Sequence, residues 1–256
     1  MRIRSVLAAL FCVAASVVPA FGVVGGREAA PDIARHVVML STQQSFCSAV
    51  VLGPRLLLTA AHCVDQAGGV RVLFFTKERE PILAPIGTIA LHPRFNPQAY
   101  RKRQFTIDVA LVTLPTPLPP AFTPLALPAA AEDGVMNARY RIAGYGLAAR
   151  GDGRTGGVLR EAILRGVPPA SDVQLRLEHA AGALVGACQG DSGGPVLRLS
   201  DASGAPSEPV LVGLLASARG AEDTRGCGGR TGVALLGPAL EWIRQKAAEL
   251  GSPLDG

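Results

Sequence analysis

The feature of this sequence that most restricts its fold is a long succession of short β-type segments, interrupted by glycine and proline. The 256 residues include 30 Gly and 20 Pro, spread along the chain. Between residues 173 and 178 apolar and polar side chains alternate strictly, which is the period of a half-buried strand. No helical period is found before residue 237. Short strands with frequent turns predict an all-β fold of the barrel type.

The β-type segments fall into two sets of six. They lie at residues 37–40, 48–52, 56–61, 70–75, 82–91 and 108–114, and at 139–145, 158–167, 173–179, 195–199, 209–217 and 232–236. The uncharged, proline-rich segment Pro115–Pro128 separates the two sets and is interpreted as a stiff crossover. We therefore predict two six-stranded antiparallel β-barrels, at about residues 23–115 and 129–237. A C-terminal α-helix is predicted at about 238–250, beginning at Pro238.

The first 22 residues are interpreted as a secretory signal peptide. Arg2 and Arg4 precede an apolar run at residues 6–18, which small residues follow. This run is too short, and its flanks are wrong, for a membrane span. The interpretation predicts a secreted protein, extracellular or periplasmic, with no membrane span.

The composition is that of a globular protein with a sizeable core. Hydrophobic residues make up 48% of the chain and charged residues 18%, which argues against intrinsic disorder. Loss of Arg2 and Arg4 with the signal peptide lowers the formal net charge from +5 to +3. Such a mild positive charge does not indicate nucleic-acid binding. The basic cluster 101–103 is interpreted as a solvated loop.

Cysteine usage indicates disulfide bonds. Of the five cysteines, Cys12 lies in the signal peptide, which leaves four in the secreted protein. An even number of cysteines in an oxidising compartment is typical of disulfides. A zinc site is less favoured, because the spacings are not those of metal ligands. From the residues alone, three pairings of the four cysteines stay open.

Three residues have the chemistry of nucleophilic catalysis. Ser192 lies among glycines in Gly190-Asp191-Ser192-Gly193-Gly194, and His62 lies in Thr59-Ala60-Ala61-His62-Cys63. A serine hydroxyl is a poor nucleophile until a nearby imidazole can take its proton. Asp108, which apolar residues flank, is a carboxylate suited to hold that imidazole.

The order of these residues narrows the class of enzyme. Gly190-x-Ser192-x-Gly194 also fits the nucleophile elbow of α/β-hydrolases, in which the histidine follows the serine. All four histidines of this chain precede Ser192, so an α/β-hydrolase would have no histidine in the position of its general base. The order Asp, His, Ser would require Asp32, around which no strand–helix alternation is found. The remaining order is His, Asp, Ser.

Several motifs in this order resemble the trypsin/chymotrypsin family of serine proteases. They are Val23-Val24-Gly25-Gly26, Leu91-His92-Pro93, Gly144-Tyr145-Gly146 and Cys188-Gln189-Gly190-Asp191-Ser192-Gly193-Gly194-Pro195. The resemblance covers nearly everything after residue 22. It implies a serine protease domain at residues 23–256, hydrolysis of peptide bonds through an acyl-enzyme intermediate, and no cofactor or metal. The expected partners are protein or peptide substrates and protein inhibitors, and a monomer is expected.

The resemblance also assigns roles to the site residues. Ser192 would be the nucleophile, His62 the general base and then acid, and Asp108 the residue that holds the imidazole tautomer. The backbone N–H groups of Gly190 and Ser192 would form the oxyanion hole. The resemblance further implies disulfides between Cys47 and Cys63 and between Cys188 and Cys227.

A buried ion pair is expected between Asp191 and the α-amine of Val23. Family members usually free this amine by removing a propeptide that ends in Lys or Arg. Here Ala20-Phe21-Gly22 precedes Val23 and places small residues where signal peptidase cleaves. The hypothesis is that signal removal itself frees Val23. Cleavage after Ala20, followed by trimming, is the competing hypothesis.

The residues expected to line the primary specificity pocket are neutral. They are Gly186, Ala187, Ala216, Ala218 and Gly232. Because Gly186 stands where a trypsin-type enzyme has an aspartate, cleavage after Lys or Arg is not expected. A broad preference for a small or medium apolar side chain is expected instead. Ala216-Ser217-Ala218 replaces the family's usual Ser-Trp-Gly, a change that could narrow the pocket.

Two other functions stay open from the sequence. One is a catalytically silent binding protein on the same fold, although such relatives usually lose the histidine or the serine. The other is an esterase that uses the same three residues on non-peptide acyl substrates.

Overall fold

The computed structural model describes most of the chain after residue 22. The described ranges are 23–42, 45–65, 68–76, 80–102, 104–132, 134–149, 151–180, 183–200, 209–220 and 226–254. The predicted signal peptide at residues 1–22, with Cys12, therefore lies outside the described residues. Arg103 of the predicted basic loop lies outside them as well.

A short entry segment precedes the first sheet. It consists of the two-residue strand β1 (Arg27–Glu28) and the one-turn helix α1 (Pro31–Ala34). The first sheet then has seven antiparallel strands, β2 (Val37–Ser41), β3 (Phe46–Gly53), β4 (Leu56–Thr59), β5 (Arg71–Phe75), β6 (Pro81–Pro85), β7 (Ile89–Leu91) and β8 (Ala110–Thr113). Their order across the sheet is β6-β5-β2-β3-β4-β8-β7. A second one-turn helix, α2 (Ala99–Lys102), lies between β7 and β8.

The second sheet closes on itself. Besides β1 it contains β9 (Arg139–Gly144), β10 (Arg160–Val167), β11 (Gln174–Glu178), β12 (Pro195–Arg198), β13 (Val210–Arg219) and β14 (Arg230–Leu235). Their order is β1-β10-β11-β14-β13-β12-β9, and β9 also pairs with β10 over six residue pairs. This last pairing turns β9 to β14 into a closed six-stranded barrel, to which β1 is added at β10.

The predicted all-β fold with a C-terminal helix is confirmed, although only the second half closes into a barrel and the first is a curled, open sheet. The first sheet has seven strands because the predicted segment 82–91 divides in two. β6 pairs with β5, and β7 pairs with β8, so the two parts lie at opposite edges of the sheet. The break follows Pro85, which has no N–H to continue a ladder. Within the break, Gly87 donates to the carbonyl of Thr113 at 2.7 Å.

The C-terminal helix α3 (Leu240–Glu249) follows a 3₁₀ turn at Gly237–Ala239. Its buried side chains, Leu240, Ile243 and Ala247, lie on one face. Gly251 at φ +73° ends the helix, as a residue without Cβ readily does. No helix within the described ranges has both the length and the apolar character needed to cross a membrane.

Buried apolar side chains form three main groups. Two of them fill the interiors of the first and the second sheet. The third lies between the sheets and contains Val50 and Ile107 from the first, Leu197 and Leu214 from the second, and Ile243 from α3. The two halves therefore share one core that α3 covers, which fixes how they face each other.

The predicted crossover contains neither helix nor strand at residues 115–128. It is fastened to the first half at Thr123, whose N–H donates to the carbonyl of Arg35 at 2.9 Å. The Thr123 carbonyl lies 2.7 Å from Nδ1 of His36. Nε2 of His36 accepts from Nε of Arg35, so Nδ1 carries the proton and donates. His36 therefore has a structural role.

A charge network holds the entry segment to the second barrel. Arg141 on β9 donates to both carboxylate oxygens of Asp32 in α1, at 2.6 and 2.9 Å, and also binds Glu161 on β10. Glu161, whose side chain is 2% exposed, also binds Arg27 on β1 at 2.8 Å. The hydrogen bonds from Arg141 lower the pKa of Asp32 to about 2. The network ties residues 27–34 to the barrel that contains Ser192.

We expect Glu161→Gln to destabilise the fold by on the order of 2–3 kcal/mol, because mostly buried Arg141 loses a charged partner. Urea unfolding at neutral pH measures this loss. Glu249→Gln is the control, since its ion pair with Lys246 is exposed and contributes little. An equal loss in both variants would contradict the argument.

Candidate active site

His62 and Asp108 are brought together by the pairing of two neighbouring strands. β4 ends at Thr59, and His62 follows it in a 3₁₀ turn. Asp108 lies two residues before β8, whose first residue, Ala110, pairs with Thr59. Asp108 accepts from Nδ1 of His62 at Oδ2, 2.6 Å, and from the His62 backbone N–H at Oδ1, 2.9 Å. Both carboxylate oxygens thus fix the orientation of the ring.

The electrostatics of this pair favour a basic imidazole. The Asp108 side chain is fully buried, whereas that of His62 is 30% exposed. Burial alone would lower the pKa of His62, but the hydrogen bond and the negative charge of Asp108 outweigh it and raise that pKa above 6.5. An imidazole with an oriented Nδ1–H can accept a proton at Nε2.

The disulfide next to His62 contacts both halves of the site. Cys47 on β3 is bonded to Cys63, the residue after His62. The Cys63 sulfur lies 3.9 Å from Nε2 of His62 and 3.7 Å from the carbonyl oxygen of Ser192. The structure therefore brings together the predicted His62, Asp108 and Ser192. Although Cys47, His62 and Cys63 place three ligand-type atoms within 4.8 Å of one another, both sulfurs are used in the disulfide.

The loop around Ser192 requires its glycines. Gly190 has φ +97°, and a Cβ there would overlap the ring of Phe46. Gly193 has φ +82°, and a Cβ there would overlap the carbonyl of Ser48. Side chains are excluded at both positions by backbone conformation and by space. The Gly193 N–H donates to the carbonyl of Leu215 at 2.7 Å, which fixes the loop against β13.

Ser48 is a functional-site residue that the sequence did not reveal. Its backbone N–H donates to the carbonyl of Ser192 at 2.8 Å, and its hydroxyl donates to the carbonyl of Gly190 at 3.1 Å. The same hydroxyl oxygen accepts from the N–H of Tyr145 at 2.9 Å. Ser48 is fully buried on β3 and so fixes the serine loop to the first sheet. Its position directly after Cys47 was the only feature of the sequence that could have indicated a role in the site.

Asp191 is a buried carboxylate held by two backbone groups. Oδ1 accepts from the N–H of Gly146 and Oδ2 from that of Cys188, each at 2.8 Å. Burial raises the pKa of Asp191 to about 7, although these hydrogen bonds and the charge of Arg160 act to lower it. The site therefore favours a neutral acid or a nearby cation.

Val23 lies inside the second barrel. Its side chain is fully buried in the same apolar group as Ala187. Its φ is +42°, a conformation that is rare for a β-branched residue. Val24 forms an antiparallel bridge with Gly186, whose N–H donates to the Val24 carbonyl at 3.0 Å. The predicted ion-pair residues, Val23 and Asp191, are thus both buried, and Val23 packs into the second barrel.

The predicted pocket residues lie in a closely packed part of the second barrel. Ala187 and Ala216 are buried. A Cβ on Gly186 would lie 2.7 Å from the carbonyl oxygen of Gly229 and 3.0 Å from Oγ1 of Thr231. Oγ1 of Thr231 also accepts from the Ala187 N–H at 3.0 Å. Gly186 is therefore enclosed by fixed groups.

The other predicted pocket residues lie on β13 and β14. Gly232 pairs with Ser217, whose hydroxyl oxygen occupies the position that a Cβ on Gly232 would take. Ala218 is partly buried and packs against the second-barrel core. Cys188, next to Ala187, is bonded to Cys227, so both disulfides have the pairing that the resemblance implies.

We expect the pKa of His62 to lie above 6.5 in the native protein and to fall below it in Asp108→Asn. The substitution removes the negative charge, so burial then dominates. Titration of the His62 ring by NMR measures both values. Asp65→Asn is the matched control, because Asp65 contributes less to the shift than Asp108 does. An unchanged pKa in Asp108→Asn would contradict the assignment of Asp108 as the dominant partner.

Comparison with known sequences finds one matching family model and several relatives. The family model described as Trypsin matches residues 23–243. Human Granzyme M is 32% identical over 206 residues, which cover 72% of this chain and 77% of that protein. Human Serine protease 56 is 31% identical over 252 residues, 90% of this chain and 39% of that protein. Coagulation factor XII of Rattus norvegicus is 28% identical, over 88% of this chain and 40% of that protein. The chain spans about two fifths of the length of the latter two relatives.

Solved structures share the fold. Human heparin binding protein has a TM-score of 0.70 at 21% identity, over 91% of this chain and 99% of that chain. An atomic-resolution structure of HBP has a TM-score of 0.70 at 22% identity, with the same coverage. These likenesses establish the common architecture.

Proposed function

The chain belongs to the trypsin family of serine proteases, and from that premise we propose that it is a secreted serine endopeptidase. It hydrolyses peptide bonds through an acyl-enzyme intermediate. The observation that carries the proposal is the pair formed by fully buried Asp108 and partly exposed His62, which share two hydrogen bonds. A carboxylate that is buried in this position does not interact with solvent. Its negative charge makes the adjacent imidazole more basic.

The reaction begins at Ser192. Its hydroxyl oxygen attacks the peptide carbonyl carbon while Nε2 of His62 takes the hydroxyl proton. The resulting tetrahedral intermediate collapses, and the imidazolium gives its proton to the departing amine. Water then attacks the Ser192 ester, with His62 again as base, and releases the acid. The negative charge of Asp108 stabilises the imidazolium in each half of the cycle.

The backbone N–H groups of Gly190 and Ser192 stabilise the negatively charged oxygen of the tetrahedral intermediate. The glycine requirement at Gly190 and the anchoring of its carbonyl by Ser48 support this role. Donors fixed before the reaction need no reorganisation as the charge develops. Ser48 is accordingly a positioning residue, since it acts through Gly190 and Ser192.

Release of the Val23 amine completes the site. A cation there would neutralise buried Asp191, whose pKa burial raises to about 7 against the opposing charge of Arg160. The buried position of the Val23 side chain supports this pairing. Signal removal directly before Val23 would produce the active form in one step.

The primary pocket is proposed to accept a small apolar side chain. Gly186, Ala187, Ala216, Ala218 and Gly232 provide no charge to bind Lys or Arg. Thr231 and Ser217 restrict the space at Gly186 and Gly232. We therefore place Ala and Val ahead of Leu and Phe as the residue before the scissile bond. The two disulfides support an oxidising, extracytoplasmic location, where a monomer would meet protein substrates and inhibitors.

The first prediction compares two chains that begin at Val23 and at Gly22. Only the former carries its α-amine on Val23, where it can pair with Asp191, so we expect only that form to turn over peptide substrates efficiently. In the Gly22 form Asp191 keeps a folded pKa of about 7 against an ordinary value of 3.8. Because its native state binds the proton more tightly, its stability falls as pH rises from about 4 to about 7, by on the order of 3 kcal/mol.

Urea unfolding at several pH values, together with turnover, checks this prediction. The Val23 form should lack the loss of stability, since the amine lowers the pKa of Asp191 again. Asp191→Asn is the control, because it removes the titration from both forms. Equal turnover and equal pH dependence in the two forms would refute the ion pair.

The second prediction concerns cleavage of a mixed peptide library by the Val23 form. We expect cleavage after Ala and Val, with an acid limb of the pH profile above 6.5 because His62 must be neutral. Ser192→Ala should lower turnover by about 10⁶-fold. Asp108→Asn should lower it by about 10⁴-fold, the size of loss seen when this carboxylate is neutralised in the family.

The same assay separates the alternative functions. Cleavage after Arg or Lys would contradict the neutral pocket. Turnover of simple esters without peptides would favour an esterase. Absence of any turnover, together with no labelling of Ser192 by a fluorophosphonate, would favour a silent binding protein.

A further inference from the structure

Three arginines from three adjacent strands project from one face of the second barrel. Arg219 on β13 is paired directly with Arg230 on β14. Arg176 on β11 is paired with Gly232, two residues after Arg230 on the same strand. Directly paired residues share a face of a sheet, as do residues two apart in a strand. The three guanidinium groups therefore lie on one side of the sheet.

These arginines line a cavity of about 210 Å³ that spans both halves of the molecule. Gln104 and Phe105 line it from the first half, and Ser217 contributes from β13. Phe105 is 62% exposed. We call this space the arginine cavity, and none of the described residues that line it is acidic.

The positive charge of the arginine cavity is only partly balanced. Glu178 on β11 binds Arg230 at 2.5 Å from outside the cavity lining. Among the described residues, Arg176 and Arg219 form no ion pair. Like charges that face each other across strands are destabilising, so the arrangement favours an anion between them. A guanidinium can bind a carboxylate through two parallel hydrogen bonds.

The arginine cavity adjoins the candidate active site at two points. Phe105 lies three residues before Asp108 in the chain. Ser217 lies between Ala216 and Ala218, and Leu215 of the same strand accepts from Gly193 beside Ser192. Gly232, one of the predicted pocket residues, also lines the arginine cavity, so the pocket and the cavity adjoin.

We propose that the arginine cavity binds an acidic side chain of the substrate, two to four residues before the scissile bond. A chain whose preceding residue enters the pocket at Ala216 and Ala218 would pass over Ser217 and Phe105. Its earlier residues would then meet Arg176 and Arg219. The proposal rests on the proposed peptidase function and names the substrate class as acidic polypeptides.

The test uses matched peptides with Ala before the scissile bond and either Glu or Gln at each of the three preceding positions. For the Val23 form we expect kcat/KM to favour Glu at one of these positions by about tenfold, an effect that added salt reduces. The double variant Arg176→Gln/Arg219→Gln should lose the preference. Arg139→Gln/Arg165→Gln is the control, because it removes the same charge from exposed positions of β9 and β10.

A charge-reversal variant distinguishes loss of the preference for Glu from loss of activity through misfolding. Arg176→Glu/Arg219→Glu should favour peptides with Lys in place of Glu, which a damaged fold cannot do. Equal kcat/KM for the Glu and Gln peptides in the native protein would overturn the proposal and leave the peptidase function intact.

Binding to Ser192→Ala tests the cavity independently of turnover. The Glu peptide should bind about tenfold tighter than the Gln peptide, and the arginine double variant should abolish the difference. Equal dissociation constants would overturn the proposal. Heparin binding that depends on the two arginines, without discrimination between the peptides, would also overturn it in favour of a polyanion site.

Discussion

The hydrogen bonds of Ser48 are the constraint on which the arrangement of this site depends. Its amide, hydroxyl and carbonyl groups are all used within the protein, and four residues hold them. They are Ser192, Gly190, Tyr145 and Thr59, the last of which donates to the Ser48 carbonyl at 2.8 Å. Buried polar groups that are fully paired specify one arrangement, because any shift leaves one of them without a partner. One residue of the first sheet thereby sets the position of the serine loop of the second.

Apolar packing makes this constraint effective over the whole molecule. The core between the two halves contains residues from both sheets and from α3, so neither half can rotate without opening it. His62 and Asp108 belong to the first half and Ser192 to the second. The packed strands on either side fix the positions of these three residues closely enough for proton transfer. Short loops alone could not hold them in this way.

The sequence predicted most of the fold, and its failures have physical causes. Turn residues and strand periodicity located each of the twelve segments, because alternation reports burial directly. They did not reveal that the segment 82–91 forms two strands at opposite edges of one sheet, because strand pairing is decided by the tertiary structure. Closure of the second barrel by the pairing of β9 with β10 likewise could not be predicted from the sequence of either segment.

The candidate site was predictable to the extent that its chemistry depends on residue type. His62, Asp108 and Ser192 could be named because few side chains can act as base, orienting acid and nucleophile. Ser48 could not be found in this way, because its role comes from hydrogen bonds to residues 97 and 142 positions away. The arginine cavity also depends on strand register, which places Arg176, Arg219 and Arg230 on one face.

The backbone of Val23 has a consequence for processing. Its φ of +42° is defined by the carbonyl carbon of the preceding residue, and such a conformation stores on the order of 1–3 kcal/mol. Once that residue is removed the torsion no longer exists, so the strain is released together with the amine. The proposed cleavage before Val23 would therefore be favoured by release of this strain as well as by hydrolysis of the peptide bond.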